Sequence, residues 1–190
     1  MNDQEMIKVL KDSGAMLDGH FLLTSGRHSN VYIEKFRLLE NPSYLDMICK
    51  EFSNYLKNKK IDVILGAAIG GILIAGGVGR HLNKKNFFTE RVNGKMELKR
   101  GFVIRPNDNV VIVEDIVTTG SSVFEMIEVV ENSQANVINI VCLVDRSKKG
   151  IDFNIPKTVL LRLPSEDWVP DNCPKCLKGD SLTSRGRTGK

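Results

Sequence analysis

Residues 110–122, VVIVEDIVTTGSS, constrain the fold of this chain more than any other stretch. They begin with an apolar run that suits a strand buried on both faces, as in a parallel sheet covered by helices. Glu114 and Asp115 end that run, and positions 118–122 are all Thr, Gly or Ser. In open α/β sheets ligands bind beyond the carboxyl ends of the strands. This order of residues therefore predicts a ligand site at the end of the strand.

Helical and strand patterns alternate along the rest of the chain, which predicts an α/β fold with an open, mostly parallel sheet and helices on both faces. Helices are predicted at 3–12, from Pro42 to about Lys57, at 72–82 and at 121–132. Strands are predicted at 61–65, 110–114 and 137–144, with a hairpin around Asn93-Gly94. We expect a single domain at 1–190, with a small N-terminal hood of two strands (about 1–40), a core (about 41–165) and a C-terminal tail (about 166–190).

The charge of the chain is mild, because the formal net charge is only +4. Residues 171–190 hold five Lys or Arg against two Asp, which predicts a solvated or loosely ordered tail rather than a nucleic-acid site. Residues 63–79 carry no charge, but these 17 positions fall short of the roughly 20 that a membrane helix needs, and six are glycine. The N-terminus lacks a signal-peptide pattern. We expect a cytoplasmic protein with no membrane or nucleic-acid partner.

The four cysteines fall into two kinds. Cys49 and Cys142 stand alone in apolar surroundings and are expected in the core. Cys173 and Cys176 form CPKC, half of a zinc-site spacing, with no second pair or neighbouring histidine in the sequence to complete it. A structural or incidental role is favoured for this pair over a metal shared between subunits or a redox function. The histidines show no metal-ligand spacing, and exposed or structural roles are expected for His20, His28 and His81.

Small donors after the acid pair indicate a phosphate site. The first turn of a helix presents unpaired N–H groups and a dipole that favour an anion, and Gly120 lets the backbone close around it. Glu114 and Asp115 would repel a phosphate, so they are expected to face vicinal hydroxyls or a cation. A sugar phosphate satisfies both requirements. The alternative is that these residues only cap a helix.

The stretch VVIVEDIVTTGSS resembles the diphosphoribosyl-binding motif of the type I phosphoribosyltransferases. Other segments resemble orotate phosphoribosyltransferases: GHFLLTSGRHSNVYIE their hood strands, DVILGAAIGGILIA their pyrophosphate loop, FFTERVNGKMELKRGF their mobile loop and LVDRSKKG their base-holding segment. The resemblance covers about 15–150 and implies the type I phosphoribosyltransferase fold. It also implies transfer of a phosphoribosyl group from phosphoribosyl diphosphate to orotate, giving orotidine monophosphate and diphosphate.

This resemblance further implies a set of site residues. Magnesium is expected to ride on the substrate without direct protein ligands, and the active sites are expected to be shared across a homodimer. Orotate is expected on Thr118 and Arg146. The catalytic residues are expected to be Asp115, Glu114, Arg91 and Lys95. Phosphoribosyl diphosphate is expected to contact Glu114, Asp115, Ile116, Val117, Thr118, Thr119, Gly120, Ser121, Ser122, Ala68, Ile69 and Gly70.

The cationic hairpin has two interpretations. Its four cations, Arg91, Lys95, Lys99 and Arg100, suit a loop that closes over the neighbouring subunit's site, but a solvated hairpin would have the same composition. The loop is also shorter than the family pattern and has no histidine.

Lysines of the family pattern are missing at two further places, Thr24 and the region near Gly70. Candidate replacements in the hood are Arg27, His28 and Lys35. Because these lysines are missing, a phosphoribosyltransferase that acts on a purine, such as xanthine or adenine, is an alternative function. A ligand-sensing regulator is a further alternative, but it would need a basic surface or a helix-turn-helix that the chain lacks outside its tail.

Overall fold

The computed structural model describes residues 1–185, which form ten strands and six α-helices. The strands are β1 (Met16–Leu22), β2 (His28–Ile33), β3 (Val63–Ala67), β4 (Lys85–Val92), β5 (Lys95–Leu98), β6 (Asn109–Val117), β7 (Asn136–Asp145), β8 (Lys157–Arg162), β9 (Asp167–Trp168) and β10 (Thr183–Ser184). The helices are α1 (Asp3–Asp12), α2 (Lys35–Leu39), α3 (Pro42–Leu56), α4 (Gly70–Leu82), α5 (Ser121–Asn132) and α6 (Pro174–Leu177), with a 3-10 turn at Pro170–Asn172.

These strands form two sheets. The larger has the order β5-β4-β3-β6-β7-β8, and all its pairs are parallel except β4 with β5. The smaller sheet has the order β10-β1-β2-β9 and forms the hood. The expected α/β class, with its mostly parallel sheet and separate hood, is therefore confirmed.

Apolar residues of the central strands are buried on both faces of the larger sheet. All five residues of β3 are buried, as are seven of the nine in β6, where only Asn109 and Ile116 are partly exposed. One core lies under α1 to α4 and contains Phe52 and Ile74, and the other lies under α5 and contains Met126. Helices thus cover both faces, as the continuous apolar runs predict.

The uncharged run 63–79 is divided between β3, a turn and the first part of α4. Strand and helix approach closely, since a Cβ on Gly66 would lie 2.3 Å from the carbonyl oxygen of Gly71. Within residues 1–185, no helix has the length and apolar character needed to cross a membrane.

Most predicted elements agree with the structure to within two or three residues. The helices at 3–12 and 121–132 have the expected bounds, α4 begins two residues earlier than expected, and β3 lies two residues later. A correction concerns β6, which was predicted to end at Glu114 but runs through Val117 and so contains Asp115 as well. Apolar residues on both sides of the acid pair, Val113 and Val117, extend the strand because both are buried.

The C-terminal segment also differs from the prediction. Residues 166–185 add β9 and β10 to the two edges of the hood sheet, so they are not a loosely ordered tail. This pairing joins distant parts of the chain, which local composition does not reveal. The remainder of the predicted tail, 186–190, lies outside the described residues.

The hood corrects the interpretation of the histidines and the CPKC pair. Both Cys49 and Cys142 are buried, as expected. However, the ligand atoms of four other side chains lie within 4.8 Å of one another: His20, His28, Cys173 and Cys176. The histidines that complete the half-site come from β1 and β2, about 150 positions earlier in the chain.

Candidate active site

The acid pair lies in the part of β6 that extends beyond its neighbour, because β3 pairs with β6 only as far as Val113. Both carboxyl groups are buried: the residues are 7% (Glu114) and 4% (Asp115) exposed. Burial, together with the negative charge of Asp115, raises the pKa of Glu114 to about 8. Glu114 is therefore largely protonated at neutral pH.

The Asp115 carboxylate lies between Lys35 of α2 and the turn after β3. Its Oδ2 forms an ion pair with Lys35 Nζ at 2.6 Å. A Cβ on Gly70 would lie 1.8 Å from the same oxygen, so only glycine fits at that position. The structure thus brings together the acid pair, Gly70 of the predicted pyrophosphate loop, and Lys35 of α2.

A small cavity of about 40 Å³ lies at the start of α5, which we call the phosphate cup. It is lined by Glu114 and residues 116–123. The first N–H groups of a helix have no helical partner, and here the hydroxyls of Thr119 and Ser121, 3.2 Å apart, lie beside them. Gly120 has φ +76°, and a Cβ there would lie 2.9 Å from Ile151 and 3.0 Å from Phe153. The cup therefore needs glycine at this position and offers only uncharged donors.

A larger cavity of about 490 Å³ adjoins the cup, which we call the base pocket. Thr118 and Thr119 line both cavities. The other walls are formed by hood residues 23–25 and Tyr32, by residues 146–148 after β7, and by Ser165, Asp167 and Arg185. A cavity of this volume is in the range of small-molecule sites.

Arg146 is the predicted orotate ligand, and it lies in this pocket. The residue is 8% exposed, and its Nε has no hydrogen-bond partner among residues 1–185. Its Nη2 donates to the Val31 carbonyl at 3.4 Å, and its backbone N–H donates to the Val117 carbonyl at 2.8 Å. Burial lowers the pKa of Arg146 from its usual value. A buried guanidinium with an unused donor suits a carboxylate ligand.

Asp145 fixes the turn that carries Arg146. Its carboxylate accepts from Lys157 at 2.8 Å and Arg162 at 3.3 Å, and from the Ser147 backbone N–H at 2.9 Å. Burial alone would raise the pKa of Asp145, but the hydrogen bonds from Lys157 and Ser147 outweigh it and lower the value. Asp145 is thus fully engaged in holding the end of β7.

The charge in the base pocket is mainly positive. Its one carboxylate, Asp167, is paired with Arg27 and, at 3.1 Å, with Lys148. Burial opposes ionisation of Asp167, but the hydrogen bonds from Arg27 and Lys148 lower its pKa. Arg146 and Arg185 add two further cations. The pocket therefore favours an anionic ligand over a neutral one.

The β4–β5 hairpin lies apart from these cavities. Arg91 pairs with Glu125 of α5 at 3.1 Å, and Arg100 pairs with Glu90 at 2.6 Å. Because β4 pairs with β3 along its first five residues, the hairpin is an edge of the larger sheet rather than a free loop. Neither cavity is lined by Arg91 or Lys95, so their predicted catalytic roles stay predictions.

Several residues at these cavities were not singled out from the sequence as ligands. Tyr32, Lys148, Asp167 and Arg185 line the base pocket, and only their positions in the folded hood and C-terminal segment reveal this. Of the candidate replacements for the missing lysines, Lys35 contacts Asp115, Arg27 contacts Asp167, and His28 joins the cysteine cluster instead.

The chain was compared with known families and curated proteins. The family described as "Phosphoribosyl transferase domain" matches residues 37–173. The chain is 43% identical over 179 residues to the orotate phosphoribosyltransferase of Desulforamulus reducens, covering 94% of each chain. It is 40% identical over 185 residues to the orotate phosphoribosyltransferase of Thermotoga maritima, covering 97% of this chain and 99% of that one.

Solved structures give a consistent result. The orotate phosphoribosyltransferase from Aeropyrum pernix matches with a TM-score of 0.70 and 28% identity, over 83% of this chain and 93% of that one. An adenine phosphoribosyltransferase from Saccharomyces cerevisiae matches with a TM-score of 0.64 and 21% identity, over 83% and 99%, which shows a shared fold.

Proposed function

The chain belongs to the orotate phosphoribosyltransferase family, and from this membership we propose the reaction that its site performs. It transfers the phosphoribosyl group of 5-phospho-α-D-ribose 1-diphosphate to orotate, giving orotidine 5′-phosphate and diphosphate in pyrimidine biosynthesis. One observation carries this proposal. The acid pair and phosphate cup of β6 and α5 open, through Thr118, into a positively charged pocket with a buried, under-partnered Arg146.

The sugar phosphate is proposed to lie along the end of β6. Its 5′-phosphate fits the uncharged donors of the phosphate cup, where the helix dipole of α5 favours an anion. The ribose hydroxyls then reach Glu114 and Asp115, which are acceptors when ionised. The diphosphate lies against the backbone of residues 68–70, where the absence of a side chain on Gly70 permits close approach to Asp115.

Orotate is proposed to occupy the base pocket with its carboxylate on Arg146. The planar guanidinium can donate two parallel hydrogen bonds to a carboxylate. Lys148 and Arg185 add to the positive field around the same anion. A neutral purine would gain little from these three cations, so the charge of the pocket favours orotate over the purine alternative.

The residues of the chain stabilise charge as the bond to diphosphate breaks. The departing diphosphate takes the bonding electrons, and positive charge develops on the ribose carbon and ring oxygen. The base nitrogen then bonds to that carbon, and its N–H proton is lost to solvent. Asp115 supplies a fixed negative charge beside the ribose, held in place by Lys35 at 2.6 Å. The buried position of the pair strengthens this electrostatic effect because little water screens it.

Magnesium fits the donors of this site. It prefers oxygen ligands, and the carboxylates of Glu114 and Asp115 and the hydroxyls of the cup are such donors. Since Asp115 is already paired with Lys35, we propose that substrate oxygens hold most of the coordination sphere. Bound there, magnesium would neutralise charge on the leaving diphosphate.

A homodimer and a cytoplasmic location are proposed on the family resemblance alone. In a dimer, Arg91 and Lys95 of the exposed hairpin would reach the partner subunit's site. Light scattering coupled to gel filtration tests the dimer, with a mass of one chain contradicting it.

Diphosphate release tests the reaction directly. The purified chain is assayed with phosphoribosyl diphosphate and magnesium, and orotate, xanthine or adenine is supplied in turn. Turnover with orotate is expected, and turnover with a purine alone would replace the base assignment. Failure to turn over any base, together with tight binding of RNA or DNA, would instead support the regulator alternative.

A further inference from the structure

Four side chains with metal-ligand chemistry converge where the C-terminal segment crosses the hood, and none of them lines either cavity described above. His28 pairs with Leu22 across the β1–β2 ladder, and His20 lies two residues before Leu22, at an irregularity in the register of β1. Cys173 is the N-cap of α6, and Cys176 lies within that helix. We call these four residues the His-Cys cluster. His20, His28 and Cys173 are buried, and Cys176 is exposed.

The distances within the cluster suit a tetrahedral site. His20 Nε2 lies 3.0 Å from His28 Nδ1 and 3.4 Å from Cys173 Sγ. Cys176 Sγ lies 3.7 Å from His20 Nε2 and 3.2 Å from His28 Nδ1. Zinc held by two imidazole nitrogens and two thiolates at standard bond lengths separates neighbouring ligand atoms by roughly 3.3 to 3.8 Å. Small movements of the side chains would bring all four atoms onto one ion.

A hydrogen bond outside the cluster orients one ligand. His20 Nδ1 lies 2.9 Å from the carbonyl oxygen of Asp180, which can only accept, so Nδ1 carries the proton. The lone pair of Nε2 then faces the cluster. Metal-binding histidines usually have such a carbonyl or carboxylate partner on their second nitrogen. A hydrogen-bonded network alone would not require two thiols and two imidazoles to face one point.

We propose that His20, His28, Cys173 and Cys176 bind one zinc ion through Nε2, Nδ1 and the two sulfurs. All four coordination positions are filled by protein atoms, which makes this a structural site without an open position for catalysis. Binding displaces the thiol protons to solvent and leaves two thiolates on the metal. The site does not depend on the function proposed above.

Zinc there would fix the C-terminal segment to the hood. The segment otherwise pairs through β9 and β10, which have two residues each. Asp167 and Arg185 lie at these strands and line the base pocket. The metal would therefore set the position of two pocket residues without touching a substrate.

Metal analysis of the whole chain tests this proposal. The protein is purified with reductant and without chelator, equilibrated with excess zinc and desalted before elemental analysis. We expect close to one zinc ion per chain. Replacing zinc by cobalt(II) is expected to give the intense visible bands of a tetrahedral thiolate complex. Less than about 0.1 zinc per chain, or cobalt spectra of an octahedral ion, would overturn the assignment.

Variants test whether the zinc ion is bound by the His-Cys cluster. Cys176→Ser changes an exposed ligand and is expected to lose the zinc and lower Tm by roughly 5 °C or more. Chelation of the wild-type chain should lower Tm similarly and zinc should restore it, which tests the site even where a variant folds poorly. His81→Ala and Cys49→Ala are matched controls outside the cluster and should keep the metal. Retention of full zinc by Cys176→Ser would refute the proposal.

Discussion

Fourteen consecutive residues, 110–123, supply the acid pair and the phosphate cup, whereas the base pocket draws on the hood, the end of β7 and the C-terminal segment. The first region consists of β6, which lies in the middle of the larger sheet between β3 and β7, and the start of α5. The second depends on a four-stranded hood whose edge strands have two residues each. We refer to them as the sugar-phosphate half and the base half of the site.

The two halves differ in whether the residues that contact the ligand also hold the local structure in place. In the sugar-phosphate half, the backbone is fixed by buried neighbours such as Val113 and Val117, so a change of side-chain charge can alter chemistry without altering the fold. In the base half, ion pairs such as Asp167 with Lys148 line the pocket and also hold its walls together. Changes there are expected to act on base binding and on local structure at once.

The largest effect is expected from Asp115→Asn in the sugar-phosphate half. The change removes a charge beside the ribose and keeps the shape of the side chain, so turnover should fall by about 100- to 1000-fold. Thermal unfolding should change little, because Lys35 can turn to solvent. Steady-state kinetics and circular dichroism melts measure both effects.

Asp12→Asn is the matched control for that prediction, since Asp12 is exposed on α1. It should keep the wild-type rate. A wild-type rate for Asp115→Asn itself would show that the acid pair only orders the backbone. The proposed chemical role of the sugar-phosphate half would then be wrong.

A smaller effect is expected from Arg146→Ala in the base half. Loss of a charge-assisted contact with the orotate carboxylate should raise the KM for orotate by about 10- to 100-fold. The KM for phosphoribosyl diphosphate should stay nearly constant. Arg37→Ala, at an exposed position of α2, is the control and should change neither constant. If both constants rise together in Arg146→Ala, the arginine supports the hood structurally instead.

The two halves also differ in how far the sequence predicts them. Residues 110–122 could be interpreted from local order alone, because an apolar strand and a helix start fix where acids and small donors lie. Gly70 was expected to meet the diphosphate, but its contact with Asp115 depends on how closely α4 approaches β6. Most of the larger sheet was predictable for the same local reasons.

In the base half, the family resemblance predicted Thr118 and Arg146, and local patterns did not indicate the other lining residues. Asp167 and Arg185 enter the pocket through β9 and β10, whose pairing with strands near residues 20–30 spans most of the chain. The same long-range pairing brings Cys173 next to His20, across 153 positions. Strands of two residues have too few positions to show an alternating pattern, so composition alone suggested a tail.

In the sugar-phosphate half, the raised pKa of Glu114 predicts that binding of the sugar diphosphate depends on pH. Glu114 has a pKa of about 8, and its ionised form is both the stronger acceptor for ribose hydroxyls and the form that attracts a cation. Binding of the magnesium complex of the sugar diphosphate should therefore release a proton. Affinity should rise by up to roughly tenfold per pH unit below that pKa. Calorimetry in buffers of different ionisation enthalpy measures the proton.

Ionisation of the substrate phosphates adds its own pH dependence, which Glu114→Gln separates. This variant should bind more weakly and should lose the part of the pH dependence that comes from the carboxyl group. An unchanged profile in Glu114→Gln would show that Glu114 does not titrate on binding.

The smallest effect concerns stability without ligand. The pKa of Glu114 is raised in the folded chain to about 8 from 4.5, so the folded state holds a proton that the unfolded state has lost. This contribution to stability is fully present below the unfolded pKa and is lost as pH rises through the folded one. Tm should thus fall by a few degrees between about pH 4.5 and 8, and less so in Glu114→Gln, which stays neutral. Glu128→Gln, exposed on α5, should retain the full fall. Parallel curves for wild type and Glu114→Gln would mean that the buried carboxyl titrates as it does in water, and the cause assigned to it would be wrong.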